Sequence, residues 1–409
     1  MTDRVVIVGS GQAGFQVAAS LRQDGYAGAI VLVGDEPGLP YQRPPLSKAY
    51  LKEGVEDRLH FRNPDFFEKN GVELVDGVSV TSIDRTAHSV ALSDGRQLDY
   101  AHLVLATGAR NRRLPLPGID LGNVLELRTL DHARTLRGKF EGAKSIAVIG
   151  GGFIGLEVAA TARGFGLDVT VVEATSRLMS RVVSTPVSNY FLEKHRDMGI
   201  DIRLDSLARS VFGDAAGKAA GLELGSGEKI NADLVLVCAG VVPNVELAEA
   251  AGLYVHDGIR VDDQMMTEDP AISALGDCAA FPFGQDGTLI RLESVQNAVD
   301  QAKCLSLRLT GKPESYTKVP WFWSDQGPYK LQIAGLTAGA DHHEIIESEG
   351  KLAVQCFRRG ELLGVETVNM AGEHMAARRI LAQPLPLSYD AASAVGFDLV
   401  TLSKTLPRA

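Results

Sequence analysis

The chain has 409 residues, 45% of them hydrophobic and 22% charged, a length that exceeds one typical core and predicts two or three domains. Its formal net charge of −10 excludes bulk attraction to nucleic acid or to an anionic bilayer, and no apolar run is long enough to span a membrane. Met1-Thr2-Asp3-Arg4 runs directly into the apolar Val5-Val6-Ile7-Val8, leaving no room for the basic, apolar and cleavage regions of a signal peptide, so a cytoplasmic protein is expected.

The first element is Val5–Val8 followed by Gly9-Ser10-Gly11-Gln12-Ala13-Gly14 and the helical stretch Phe15–Leu21. This is a strand–GxGxxG–helix unit. Gly9 permits the tight turn, Gly11 lets a pyrophosphate approach the backbone, and Gly14 allows close packing of helix on strand, while the helix N-terminus favours phosphate charge. A second strand, Ala29–Gly34, ends at Asp35-Glu36, where a carboxylate can accept hydrogen bonds from ribose hydroxyls.

Leu103-Val104-Leu105-Ala106-Thr107-Gly108 reads as an apolar strand that stops at small residues, a place for the chain to leave one nucleotide domain. The fingerprint then recurs at Ser145-Ile146-Ala147-Val148-Ile149-Gly150-Gly151-Gly152-Phe153-Ile154-Gly155-Leu156-Glu157. Its second strand, Asp168–Val172, ends in Glu173, a carboxylate that can hold a ribose 2′-OH but repels a 2′-phosphate, which predicts NADH over NADPH. The alternative is that Glu173 only ends the strand and Arg177 or Arg181 holds a phosphate.

Leu234–Gly240 is a matching exit strand, and Ala271–Asp277 a further short strand ending in Gly276-Asp277, whose acid can receive a ribityl hydroxyl or serve only as a local turn residue. From about Pro320 the texture changes. Leu352–Phe357 and Leu362–Val368 predict a hairpin joined at Arg358-Arg359-Gly360-Glu361, with helical spacing over Glu373–Leu381. The four cysteines, Cys238, Cys278, Cys304 and Cys356, show neither CxxC nor zinc-ligand spacing and read as buried thiols.

The order Gly9–Gly14, Ala106-Thr107-Gly108, Gly150–Gly155 and Gly276-Asp277 resembles the two-dinucleotide flavoproteins of the glutathione reductase superfamily, over nearly the whole chain. Within it, Tyr41-Gln42-Arg43-Pro44-Pro45-Leu46-Ser47-Lys48 and Pro320-Trp321-Phe322-Trp323-Ser324-Asp325-Gln326 resemble the FAD-dependent ferredoxin reductases, relatives of rubredoxin reductases and of ring-dioxygenase reductases. The resemblance implies an α/β fold: two Rossmann-like dinucleotide-binding domains, the NAD domain (116–244) inserted in the FAD domain (1–115 and 245–319), and a C-terminal α+β domain (320–409).

It further implies that Ala13, Asp35, Arg43, Lys48, Val80, Arg128, Asp277 and Val295 line FAD, with Ala106 and Glu293 nearby and Arg128 toward the pyrophosphate. Gly9, Gly11 and Gly14 belong to the FAD turn; Gly150, Gly152, Gly155, Glu173 and Gly240 belong to the NADH site. Glu157 would meet the nicotinamide and pair with Lys48, the two carrying the catalytic role. Disulfide reductases of this superfamily place a redox cysteine pair about where Pro44–Lys48 stands, and no cysteine precedes Cys238 here. Electrons must then leave the flavin directly, one at a time, to a [2Fe–2S] ferredoxin that serves a cytochrome P450 or another oxygenase. Trp323 is expected between flavin and docked ferredoxin, with Arg62 and Lys303 as basic docking residues, in a monomer with no nucleic-acid or membrane partner. A rubredoxin reductase shares these flavin motifs. An apoptosis-inducing-factor-like protein uses the same fold for assembly or signalling, but the targeting or basic segments common in that class do not occur here.

Overall fold

The apolar runs Val5–Val8, Ile30–Val33, His102–Leu105 and Leu234–Val237 become short strands buried at every position, the signature of a parallel sheet covered on either side. The computed structural model describes residues 3–284 and 287–406, and the chain divides into two compact units. One comprises residues up to Arg43, Val55–Arg110 and Val241–Lys318; the other comprises Pro44–Gly54, Asn111–Gly240 and the chain from Val319 onward.

The first unit is built on a five-stranded parallel sheet in the order Ile272–Ala274, His102–Leu105, Val5–Val8, Ile30–Val33, Val72–Val75. Val5 pairs with Ile30 on one side and His102 on the other, so the glycine-bearing strand is central. The Gln12–Gln23 helix crosses one face and packs on the Val295–Leu309 helix, fixed by a 2.6 Å hydrogen bond from the Ser306 hydroxyl to Asp24. Ser294 caps the latter helix by accepting from the Asn297 N–H at 3.1 Å. A small antiparallel sheet, Val80–Asp84, Ser89–Leu92 and Gln97–Asp99, completes this part of the unit.

The second unit repeats the plan, with parallel order Asp201–Arg203, Asp168–Val172, Ser145–Ile149, Leu234–Val237, Val124–Glu126. Its Phe153–Gly164 helix is buried continuously from Gly155 to Ala162, as its small and apolar sequence allows. The same unit contains an antiparallel sheet in the order Trp321–Gln326, Tyr329–Gly335, Glu361–Val368, Lys351–Arg358, His342–Ser348. The expected hairpin is present, turning at Arg359 and Gly360, both with positive φ (51° and 79°), and the expected helix begins at Ala371. The Phe153 and Phe322 rings, 4.6 Å apart, bind this sheet to the nucleotide sheet's helix. The buried Glu366 carboxylate ties the same sheet to the start of the Thr185–Asp197 helix, accepting the Ser184 N–H at 2.9 Å, and also accepts the Thr337 hydroxyl at 2.6 Å. Among the described residues, no helix is long and apolar enough to cross a membrane, and no cluster of His, Cys, Asp and Glu could hold a metal ion.

Candidate functional site: two nucleotide cradles and a buried ion pair

The two glycine turns are built alike. Gly9 and Gly150 both sit at positive φ (107° and 110°), a region that penalises any Cβ. A Cβ on Gly9 would collide with the Ala106 carbonyl, and one on Gly150 with the Cys238 carbonyl, so each exit strand lies directly against its turn. A Cβ on Gly14 would strike the Gly9 carbonyl, and one on Gly155 the Gly150 carbonyl. Gly11 and Gly152 differ, because a Cβ there meets nothing within 4 Å. These two middle glycines cap the helices Gln12–Gln23 and Phe153–Gly164 without a side-chain hydrogen bond. Backbone N–H groups at a helix start facing open space are an anion cradle, and they fit the pyrophosphate of a dinucleotide in both units.

In the first unit a concavity beside Gly11 is lined by Ser10, Glu36, Pro37, Gly38, Leu39, Tyr41 and Arg43. Glu36 accepts from the Arg43 guanidinium at 2.5 Å and the Tyr41 hydroxyl at 2.6 Å, and Arg43 lies over the Tyr41 ring. Asp35 is exposed and does not line the concavity; Glu36, next to it in sequence, does.

Ala13 reaches the other end of the cradle. A Cβ on Gly276 would lie 3.1 Å from the Ala13 methyl, which brings Asp277 to the start of the Gln12–Gln23 helix. The Gly276 N–H donates to Gln301 Oε1 at 2.8 Å, and Arg291 joins the Asp277 carbonyl (3.2 Å) to Glu293 (2.7 Å). Val295 is the first residue of the following helix. Ala13, Ala106 and the Gly276-Asp277 turn thus meet at one glycine turn, with Glu293 linked to Asp277 through Arg291. Val80 opens the small antiparallel sheet, and Arg128 lies in the second unit between the Val124–Glu126 strand and the Leu130–Phe140 helix.

In the second unit Lys48 follows the 3-10 turn Pro44–Ser47, and Glu157 lies on the first turns of the Phe153–Gly164 helix. Lys48 Nζ donates to Glu157 Oε2 at 2.6 Å, and Glu157 is only 2% exposed. A carboxylate so placed needs compensation, and hydroxyls supply the rest. Ser47 Oγ donates to Oε2 and Ser324 Oγ to Oε1, each at 2.6 Å. Thr161 donates to the Ser47 carbonyl at 3.1 Å and fixes the turn to the helix. Ser47 and Ser324 both lie in sequence strings that carry the family resemblance, yet their contact with Glu157 exists only in the folded chain.

Glu173 accepts the Gly151 N–H at 2.7 Å and the Thr175 N–H and hydroxyl at 2.8 Å, so its carboxylate is held against the second glycine turn. Arg177 donates to the Val183 and Ser180 carbonyls at 2.7 and 2.5 Å, which ties its guanidinium to the loop. Arg181 is exposed, near the bend at Gly240.

Trp323 lies 5.6 Å from Trp321 on one face of the Trp321–Gln326 strand, and Arg378 stacks over Trp321 at 4.5 Å. Arg62 and Lys303 both belong to the first unit. Arg62 precedes the Pro64–Lys69 helix beside Phe61, whose ring stacks on Phe15 at 4.6 Å, while Lys303 is an exposed residue of the Val295–Leu309 helix. No disulfide links the four cysteines. Burial pushes Cys238 up to about 12 and Cys304 up to about 11, and raises Cys278 and Cys356, so all four stay as thiols at neutral pH.

Residues 3–302 match the family model for pyridine nucleotide-disulphide oxidoreductases, and residues 321–403 match the reductase C-terminal model. Rhodocoxin reductase of Rhodococcus erythropolis is 52% identical over 398 residues, covering 97% of this chain and 93% of the relative. The ferredoxin reductase for the CYP199A2 system from Rhodopseudomonas palustris superposes with a TM-score of 0.95 at 48% identity, covering 98% of this chain and 100% of that one. The covalent putidaredoxin reductase–putidaredoxin complex superposes with a TM-score of 0.94 at 38% identity over 99% of each chain. The chain belongs to the pyridine nucleotide-disulphide oxidoreductase family, in its branch of FAD-dependent ferredoxin reductases.

Proposed function

We propose that this protein takes hydride from NADH through bound FAD and delivers single electrons to a [2Fe–2S] ferredoxin serving a cytochrome P450, as the similar ferredoxin reductase of the CYP199A2 system suggests. In this reading it works as a cytoplasmic monomer. The observation that carries the proposal is the Pro44–Lys48 turn: where disulfide reductases carry redox cysteines, this chain sets Lys48 on Glu157 at 2.6 Å. With every cysteine kept as a thiol, no thiolate is ready to take electrons internally.

The Gly9–Gly14 cradle, Glu36, Arg43, Ala106, Asp277, Glu293 and Val295 hold FAD, with Asp35, Val80 and Arg128 assigned to it by family position. The Gly150–Gly155 cradle, Glu173 and Gly240 hold NADH. FAD supplies the conversion of a hydride's electron pair into single electrons. Glu157 orients the nicotinamide carboxamide: its four lone-pair positions take three donors, Ser47, Lys48 and Ser324, leaving one on Oε1 for an incoming N–H. Lys48, held by Glu157, presents positive charge where negative charge arrives, a preorganised electrostatic contribution. Trp323 marks the electron exit, and Arg62 and Lys303 favour an acidic partner.

An NADH-driven assay against a panel of [2Fe–2S] ferredoxins and rubredoxins tests the proposal. Reduction of a ferredoxin is expected; turnover with rubredoxins alone would reassign the partner, and failure of NADH to reduce the flavin would reject the enzyme reading.

A further inference from the structure

The buried ion pair does not end at Ser324. Gln326, two residues along the same strand and on the same face, donates its amide to Ser324 Oγ at 3.2 Å, and its Oε1 lies 2.8 Å from His195 Nε2. Ser324, Gln326 and His195 are all 0% exposed. Each is a polar group that needs a hydrogen-bond partner in a solvent-free interior, and His195 comes from the Thr185–Asp197 helix, remote in sequence from both partners.

Chemistry fixes the direction of this chain. An ionised Glu157 can only accept, so the Ser324 proton must point to it and the Ser324 lone pair must accept. Gln326 then has to turn its amide nitrogen toward Ser324, which leaves its oxygen facing His195. His195 must meet that oxygen with an Nε2–H. Its Nδ1 has no hydrogen-bond partner among the described residues, which agrees with a bare lone pair there, and burial holds the ring below the ordinary histidine range and therefore neutral. One negative charge at Glu157 thus sets the orientation of an amide and the tautomer of a histidine on another helix.

We propose that Ser324, Gln326 and His195 are positioning residues that act through Glu157, forming a one-directional hydrogen-bonded chain that holds its Oε1 in place for the nicotinamide carboxamide. Aligned dipoles in a dry interior strengthen one another, so the chain stiffens the carboxylate more than a single hydroxyl would. The inference deepens the reading of Glu157 given above and rests on it for the identity of the incoming group. The orientation of the chain does not depend on that reading.

The test uses the FAD-loaded enzyme labelled with nitrogen-15 in histidine, with His195 assigned by the resonance lost in His195→Gln. Wild type is expected to show His195 neutral and protonated at Nε2. Ser324→Ala cuts the chain, so both tautomers should become populated, and hydride transfer from saturating NADH should slow about tenfold, the loss of one hydrogen bond to a charged group. Ferredoxin KM should not change. Gln326→Met should mix the tautomers as well, with a smaller loss of about threefold because Ser324 still donates to Glu157. If Ser324→Ala does not fold, Gln326→Met carries both readouts. Protonation at Nδ1 in wild type, or wild-type rate and tautomer in both variants, would overturn the proposal. A correct tautomer in a protein that NADH fails to reduce would instead reject the nicotinamide reading and leave the chain standing.

Discussion

Lys48 Nζ lies 2.6 Å from Glu157 Oε2, and the pair joins a turn near the start of the sequence to the helix of the second glycine motif. Removing one partner of a buried pair leaves the other uncompensated, which costs about 3 kcal/mol or more. Lys48→Met should therefore lower the denaturant midpoint and slow flavin reduction by NADH at least tenfold, of order 1.4 kcal/mol in the barrier. The double variant Lys48→Met/Glu157→Leu should recover much of the stability while flavin reduction stays slow. Paired equilibrium unfolding and stopped-flow absorbance measure the two effects, and recovery of rate along with stability would show that the pair is structural only.

The glycines of each cradle should separate by role. Gly9→Ala and Gly14→Ala drive a methyl into backbone carbonyls and should yield little folded protein. Gly11→Ala and Gly152→Ala fill open space and should fold. Gly11→Ala should then lose FAD, whereas Gly152→Ala should keep it and raise the KM for NADH about tenfold or more, a loss of order 1.4 kcal/mol in binding. Flavin absorbance per chain and NADH kinetics distinguish the two.

Glu173 faces the second glycine turn, and Arg177 is held by the Val183 and Ser180 carbonyls. NADPH should accordingly be a poor donor in the wild type. Glu173→Ala should weaken NADH without conferring strong use of NADPH, because the nearby guanidinium stays tied to the loop. A kcat/KM comparison of both nucleotides in wild type and variant checks this, and efficient NADPH turnover by the wild type would contradict it.

Acid should destabilise the protein before most carboxylates titrate. His102 is buried against the Ser273 hydroxyl at 2.8 Å, and burial, with Arg308 nearby, lowers it from 6.5 to about 4. The folded chain keeps this ring neutral, while the unfolded chain takes up a proton below 6.5, so its contribution is present above pH 6.5 and is lost as pH falls toward 4. The full loss is about 3 kcal/mol. Burial, with Arg378 and Lys330, also lowers His374 to about 4, so it adds a loss of the same sign. Urea unfolding at pH 7 and pH 4.5 should show a smaller difference in His102→Gln than in wild type.

Much of the fold was legible because its signals are local. Val5–Val8 with Gly9 and Ser145–Ile149 with Gly150 announce strand and turn within ten residues, and Arg359-Gly360 marks its hairpin by the positive φ it must adopt. Candidate site positions were legible only where side chains keep fixed offsets from those motifs, as those of Glu173 and Glu157 do. Contacts made by folding were not. Nothing in the string Ser324-Asp325-Gln326 says that its alternate residues face a carboxylate and a histidine more than a hundred positions earlier. Asp35 and Glu36 follow the same strand, and in the folded chain Glu36 lines the concavity beside Gly11, held by Tyr41 and Arg43, while Asp35 is exposed.

In the proposed function electrons enter in pairs and leave singly to an iron–sulfur protein. Anaerobic titration of NADH into a mixture of this enzyme in catalytic amount and excess oxidised [2Fe–2S] ferredoxin measures it directly. Because hydride carries an electron pair and each cluster accepts one electron, about two ferredoxins should be reduced per NADH consumed. A one-to-one ratio, or NADH consumption without ferredoxin reduction, would contradict the account.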